Sequence, residues 1–144
     1  MGGPDSQPST TLCLTSAFDD LRLVYPWLDA VATTVVTPEI LSAMHVVLEE
    51  AVANVVMHGF SPGQDGTIAL RFAAEPGGVT LMIEDDGKAF DPSAAALPRL
   101  AGSLAEATVG GRGLTLIRRF CPAIAYERRD GRNHLRLRFT LPIG

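Results

Sequence analysis

The sequence predicts an α+β fold: a two-layer α/β sandwich with helices on one face of a mostly antiparallel mixed sheet. Three patterns carry that prediction. From Ile40 to His58 aliphatic residues recur at helical spacing. Ile68, Leu70 and Phe72, then Val79, Leu81 and Ile83, alternate with period two about Glu75-Pro76-Gly77-Gly78, which reads as a hairpin. Ala123 to Arg129 and His134 to Leu141 repeat that arrangement about Asp130-Gly131. With helices on one face, the other face of the sheet must be partly solvated or covered by a partner.

The elements follow in order. Residues 1–9, rich in Gly, Pro and Ser, read as a disordered N-terminus, and residues 10–144 as one domain. Thr11 to Thr15 alternates and predicts a first strand. Phe18 to Val36 has helical spacing, with a kink or break near Tyr25 because Pro26 lies inside it. Thr37-Pro38-Glu39 opens the main helix, with Thr as N-cap and Pro in the first turn, and Gly59 is expected to end it. Ser61 to Gly66 is a turn cluster. After the first hairpin, residues 88–110 read as an irregular lid-like loop, and Leu114 to Phe120 as a short helix before the closing hairpin.

Composition excludes some classes. The chain has 144 residues, a formal net charge of -4 and a pI near 5.3, which argues against non-specific nucleic-acid binding. Cys13 and Cys121 match no metal or redox spacing and read as buried free thiols of a cytoplasmic protein. No uninterrupted apolar run reaches the roughly 18 residues of a membrane span.

Glu50, Asn54 and His58 stand four residues apart in the main helix, so they share one face. A carboxylate and an amide among aliphatics are paired or face a polar ligand. An amide oxygen at Asn54 suits Mg²⁺, which takes hard oxygen ligands and leans on substrate phosphates. Glu50, one turn earlier, can take a proton from an attacking hydroxyl. Asp85 follows a strand, and its carboxylate can accept a hydrogen bond from the amine of adenine. Gly87 lets backbone approach a flat base. Gly110-Gly111-Arg112-Gly113 precedes a helix start at Leu114, where free N–H groups favour phosphate. Together these read as a nucleotide site.

In this combination the sequence resembles the histidine-kinase-like ATPase superfamily, and within it the bacterial anti-sigma-factor serine/threonine kinases. The resemblance rests on Glu50-Ala51-Val52-Ala53-Asn54 running to His58-Gly59, on Asp85-x-Gly87 with Phe90-Asp91-Pro92, on Gly111-x-Gly113-Leu114, and on Tyr126-x-Arg128-x-x-Gly131-x-Asn133. It covers about residues 10–142. It implies an ATP- and Mg²⁺-dependent kinase with Glu50 as general base and Asn54 as metal ligand. Asp85 and Gly87 would then serve the adenine, and Gly111 and Gly113 the phosphates. Ala89, Arg112 and Leu114 complete the implied nucleotide contacts. The implied partners are a sigma factor, held inactive, and a STAS-domain antagonist phosphorylated on serine; homodimers are also implied, and neither nucleic acid nor a membrane is.

Two departures qualify the match. The family's second glycine in Asp-x-Gly-x-Gly is Ala89, and Val109 stands where better-known members carry arginine. Both leave room for an alternative, a nucleotide-gated partner-switching module without efficient kinase activity. Asn133 falls about where related ATPases support the adenine-reading Asp with Thr. On the last strand His134, Arg136 and Arg138 alternate with Leu135, Leu137 and Phe139, giving an apolar face and a basic one that reads either as solvated or as a docking surface for an acidic partner.

Overall fold

In the computed structural model the described residues are 10–90 and 122–141. Strand β1 (Thr11–Thr15) leads through a short 3-10 turn (Phe18–Leu23) into α1 (Val24–Ala32) and α2 (Pro38–Gly59). Strands β2 (Thr67–Glu75) and β3 (Gly78–Asp85) form the first hairpin, and β4 (Ala123–Arg129) and β5 (Arg132–Thr140) the second. The five strands pair in the order β1-β2-β3-β5-β4, and each pairing is antiparallel. The expected sandwich is present, but no parallel pair occurs among the described residues.

Local chemistry explains the boundaries. The Ile40 N–H donates to the Thr37 hydroxyl at 3.3 Å, and Pro38 occupies the first turn of α2, where no backbone donor is required. The break expected near Tyr25 falls between Leu23 and Val24, so that Pro26 becomes the third residue of α1 and is tolerated there. At the start of the 3-10 turn the Thr15 N–H and hydroxyl both donate to the Asp20 carboxylate at 2.8 Å, and these bonds hold its pKa below the ordinary value. Pro76 followed by Gly77 at φ 77° turns β2 into β3. Asp130 at φ 56° and Gly131 at φ 74° make the two-residue turn with two left-handed positions that twisted hairpins favour.

One face of the sheet is the core. Leu70, Leu81, Ile83, Leu137 and Phe139 are buried beneath Leu28, Met44, Leu48 and Val52 of the helices. The period-two stripe continues past the apolar residues, so Asp85 at the end of β3 and Asn133 near the start of β5 also point inward, directly opposite each other in register. By length and composition α2 could cross a membrane, but most of it is buried in this fold, as in a core helix.

The other face is open. Arg71 and Arg132 reach Glu84 at 3.9 and 2.6 Å, and Arg138 reaches Glu75 at 3.2 Å and the Pro76 carbonyl at 3.1 Å. Arg136 is exposed beside an open concavity of about 510 Å³. The alternation on β5 is as expected, but part of its basic face is engaged by the chain's own carboxylates. Cys13 corrects an expectation: it is exposed, because it has the opposite parity to inward-facing Leu14 on edge strand β1.

Candidate functional site

The last three turns of α2 carry the first half of the site. Asn54 is fully buried at 0% exposure, and its amide nitrogen is directed at the Glu50 carboxylate, 3.5 Å away. Glu50 and His58 are half-buried. The four-residue spacing therefore does place the three polar side chains along one stripe. His45, further back, is buried in another role: its ring stacks on Tyr25 at 3.8 Å and lies 3.5 Å from Asp29 and 3.7 Å from Glu49, tying α1 to α2.

The second half is the turn that follows β3. Asp85 is 2% exposed, and its Oδ1 accepts from the Gly87 N–H at 2.8 Å and from the Asn133 amide at 2.9 Å. Burial pushes its pKa above the ordinary value, while the bonds from Asn133 and Gly87 pull the other way. The turn is fastened to α2, since the Lys88 N–H donates to the Gly59 carbonyl at 3.0 Å. Gly87 sits under that same carbonyl with no room for a Cβ. The glycine is thus required for close approach to the helix end, and its φ is not in the left-handed region. Gly59 ends α2, as expected, and does so as its last helical residue with an ordinary φ. Phe90 then meets His58, ring centroids 5.0 Å apart, so the segment from Asp85 to Phe90 follows the end of α2. Ala89 is exposed and has no positive φ, so the alanine is accommodated without strain.

Three residues from the closing hairpin complete the picture. Asn133 is 3% exposed and donates to Asp85 and to the Lys88 carbonyl, each at 2.9 Å. Its side-chain oxygen, Oδ1, accepts from the Tyr126 hydroxyl at 2.5 Å and from Arg128 at 3.2 Å. Arg128 also donates to the Gly87 carbonyl at 2.7 Å. The supporting place of Asn133 was foreseeable; the parts played by Tyr126 and Arg128 were not. The signal lay in strand parity, because Tyr126 pairs with Leu135 and Arg128 with Asn133 on the inward face.

Gly111, Arg112, Gly113 and Leu114 lie outside the described residues, as do Val109, Cys121 and most of the 88–110 loop. The structure thus sets Glu50 and Asn54 on one face of α2 and docks the turn that carries Asp85, Gly87 and Ala89 against the end of the same helix.

Residues 14–139 match the histidine kinase-like ATPase domain. The chain is 47% identical over 89 residues to the serine/threonine-protein kinase BtrW of Bordetella bronchiseptica, covering 62% of this chain and 63% of that protein. It is 30% identical over 92 residues to an anti-sigma F factor of Priestia megaterium, covering 63% of each. These matches span less than two thirds of those relatives' length. In fold, it is similar to the blue-light activated histidine kinase of Erythrobacter litoralis, with TM-score 0.55 and 17% identity over 85% of this chain and 41% of that one. On the strength of the domain match, which takes in both helices and all of the sheet but the first three residues of β1 and the last of β5, the chain belongs to the histidine kinase-like ATPase domain family.

Proposed function

We propose that this chain is an ATP- and Mg²⁺-dependent anti-sigma regulatory protein of the cytoplasm. It phosphorylates a serine of a STAS-type antagonist, sequesters a sigma factor, and works as a homodimer. The observation that carries the reading is the pairing of a fully buried amide, Asn54, one turn from Glu50, with a buried carboxylate, Asp85, pinned against the end of the same helix. The likeness to two relatives, a serine/threonine-protein kinase and an anti-sigma F factor, supports it.

The side chains fit the ligands. A buried carboxylate supplies an acceptor for the exocyclic amine of adenine. Among the described residues no group of three or more His, Cys, Asp or Glu could hold a metal ion, so Mg²⁺ would be held by the Asn54 amide oxygen together with nucleotide phosphates. Bound there, the ion would neutralise charge on the phosphates. Phosphoryl transfer asks of the protein mainly positioning and electrostatics. Glu50 accepts the proton of the partner's serine hydroxyl, and the Asp85–Lys88 turn fixes the base. Gly111, Gly113, Arg112 and Leu114 would serve the phosphates.

Val109, standing where better-known members of the family carry an arginine beside the phosphates, favours a second reading, a nucleotide-gated switch that grips its partner without efficient transfer. Incubation with radiolabelled Mg-ATP and candidate STAS proteins from the same genome separates the two. Label on a partner serine supports the kinase; ATP-dependent sigma-factor binding with no label supports the switch. Absence of both overturns the proposal.

A further inference from the structure

The turn that carries Asp85 is held from three directions. Gly59 at the end of α2 accepts from the Lys88 N–H. Asn133 on β5 donates to Asp85 and to the Lys88 carbonyl. Arg128, arriving from edge strand β4, uses one guanidinium nitrogen to reach both the Gly87 main-chain carbonyl, at 2.7 Å, and the side-chain amide oxygen of Asn133, at 3.2 Å.

The polarity of this arrangement has one solution. Asn133 needs its NH₂ toward two acceptors, Asp85 Oδ1 and the Lys88 carbonyl. Its oxygen must then face two donors, the Tyr126 hydroxyl and Arg128. Reversing the amide would set oxygen against oxygen on one side and donor against donor on the other. Both bonds to Asp85 fall on Oδ1, from Gly87 and Asn133, which presents Oδ2 to a ligand. A carboxylate oxygen fixed in that way accepts from the amine of adenine and repels the carbonyl oxygen that guanine carries at the corresponding position.

We infer that Arg128, acting through Asn133 and the Gly87 carbonyl, is a positioning residue that sets the selectivity of this site for adenine over guanine. The inference rests on the proposed nucleotide site and adds to it the origin of base discrimination. Arg128 belongs to an exposed stretch of β4, so its replacement leaves the core untouched. It touches no base; it locks the geometry of the group that does. Tyr126 assists by completing the acceptor side of Asn133.

The test is the ratio of dissociation constants for GTP and ATP, measured by calorimetry with saturating Mg²⁺ on the full chain. Because both ligands are titrated into the same sample, the ratio is insensitive to any inactive fraction. The wild type is expected to prefer ATP, and Asp85→Asn to abolish that preference. Arg128→Met is expected to lower the ratio about tenfold, as befits loss of hydrogen bonds from a charged donor. Arg128→Lys, which keeps a cationic donor, should recover part of it, and Asn133→Asp should lose more than Arg128→Met. A wild-type ratio in Arg128→Met, with Asp85→Asn still impaired, would overturn the positioning role while leaving the nucleotide site intact. A wild type that binds no adenine nucleotide would overturn the site reading itself.

Discussion

Gly87 packs so tightly beneath Gly59 that a Cβ at position 87 would lie 2.5 Å from the Gly59 carbonyl oxygen and 3.0 Å from Asp85 Oδ1. Neither neighbour is the free end of a flexible side chain, so the turn or the helix end has to shift. Gly87→Ala is therefore expected to destabilise the fold by about 1–3 kcal/mol, the usual cost of overpacking. Urea denaturation should show it, and the displaced Asp85 should weaken ATP binding in the same variant.

Glu50 and Asn54 lie one turn apart but serve different steps in the proposed reaction. Glu50→Ala is expected to retain ATP binding and to lose about 10²–10⁴-fold in phosphotransfer, the range for a missing general base. Asn54→Ala should weaken both. Equal transfer rates for wild type and Glu50→Ala in a single-turnover assay would remove Glu50 from the chemistry.

Asp85 predicts a dependence on pH with opposite signs for folding and for binding. Its folded pKa is raised above 3.8, chiefly by burial. The folded chain therefore holds this proton to higher pH than the unfolded chain does. The group's contribution to stability is fully present below 3.8 and is lost as pH rises through the raised value. Nucleotide affinity runs the other way, since only the ionised carboxylate accepts from the adenine amine. ATP affinity should fall on acidification through a midpoint above 3.8, and in Asp85→Asn the remaining affinity should lack that transition.

The cap of α2 gives a prediction independent of function. Thr37→Ala removes the acceptor of the Ile40 N–H and should cost about 1 kcal/mol. Thr37→Ser should restore most of it in thermal or urea unfolding.

Particular residues show which parts of this arrangement were legible in the amino-acid order. The stripe from Glu50 to His58 was readable because four-residue spacing alone places side chains on one helix face. The strands and both hairpin turns were readable for a similar reason: period two and Pro-Gly or Asp-Gly pairs act locally. Contacts between distant positions were not readable. The 85–88 turn docks onto the Gly59 carbonyl from almost thirty positions later. Arg128 reaches a carbonyl 41 positions away, and no periodicity within β4 announces that partner. Cys13 was misjudged because cysteine is more often inside, whereas strand parity sets it outside.

The anchors of the Asp85 turn have a consequence for how the molecule comes apart. They belong to the main helix, almost thirty positions before the turn, and to both strands of the closing hairpin, more than forty positions after it. Peeling that hairpin away would dissolve the recognition surface along with the β3–β5 seam. A nucleotide resting there would act as a thermodynamic rivet, raising the resistance of the entire sheet to opening by mass action. Hydrogen exchange at β4 and β5, far along the strands from any phosphate, should consequently slow when ATP is added.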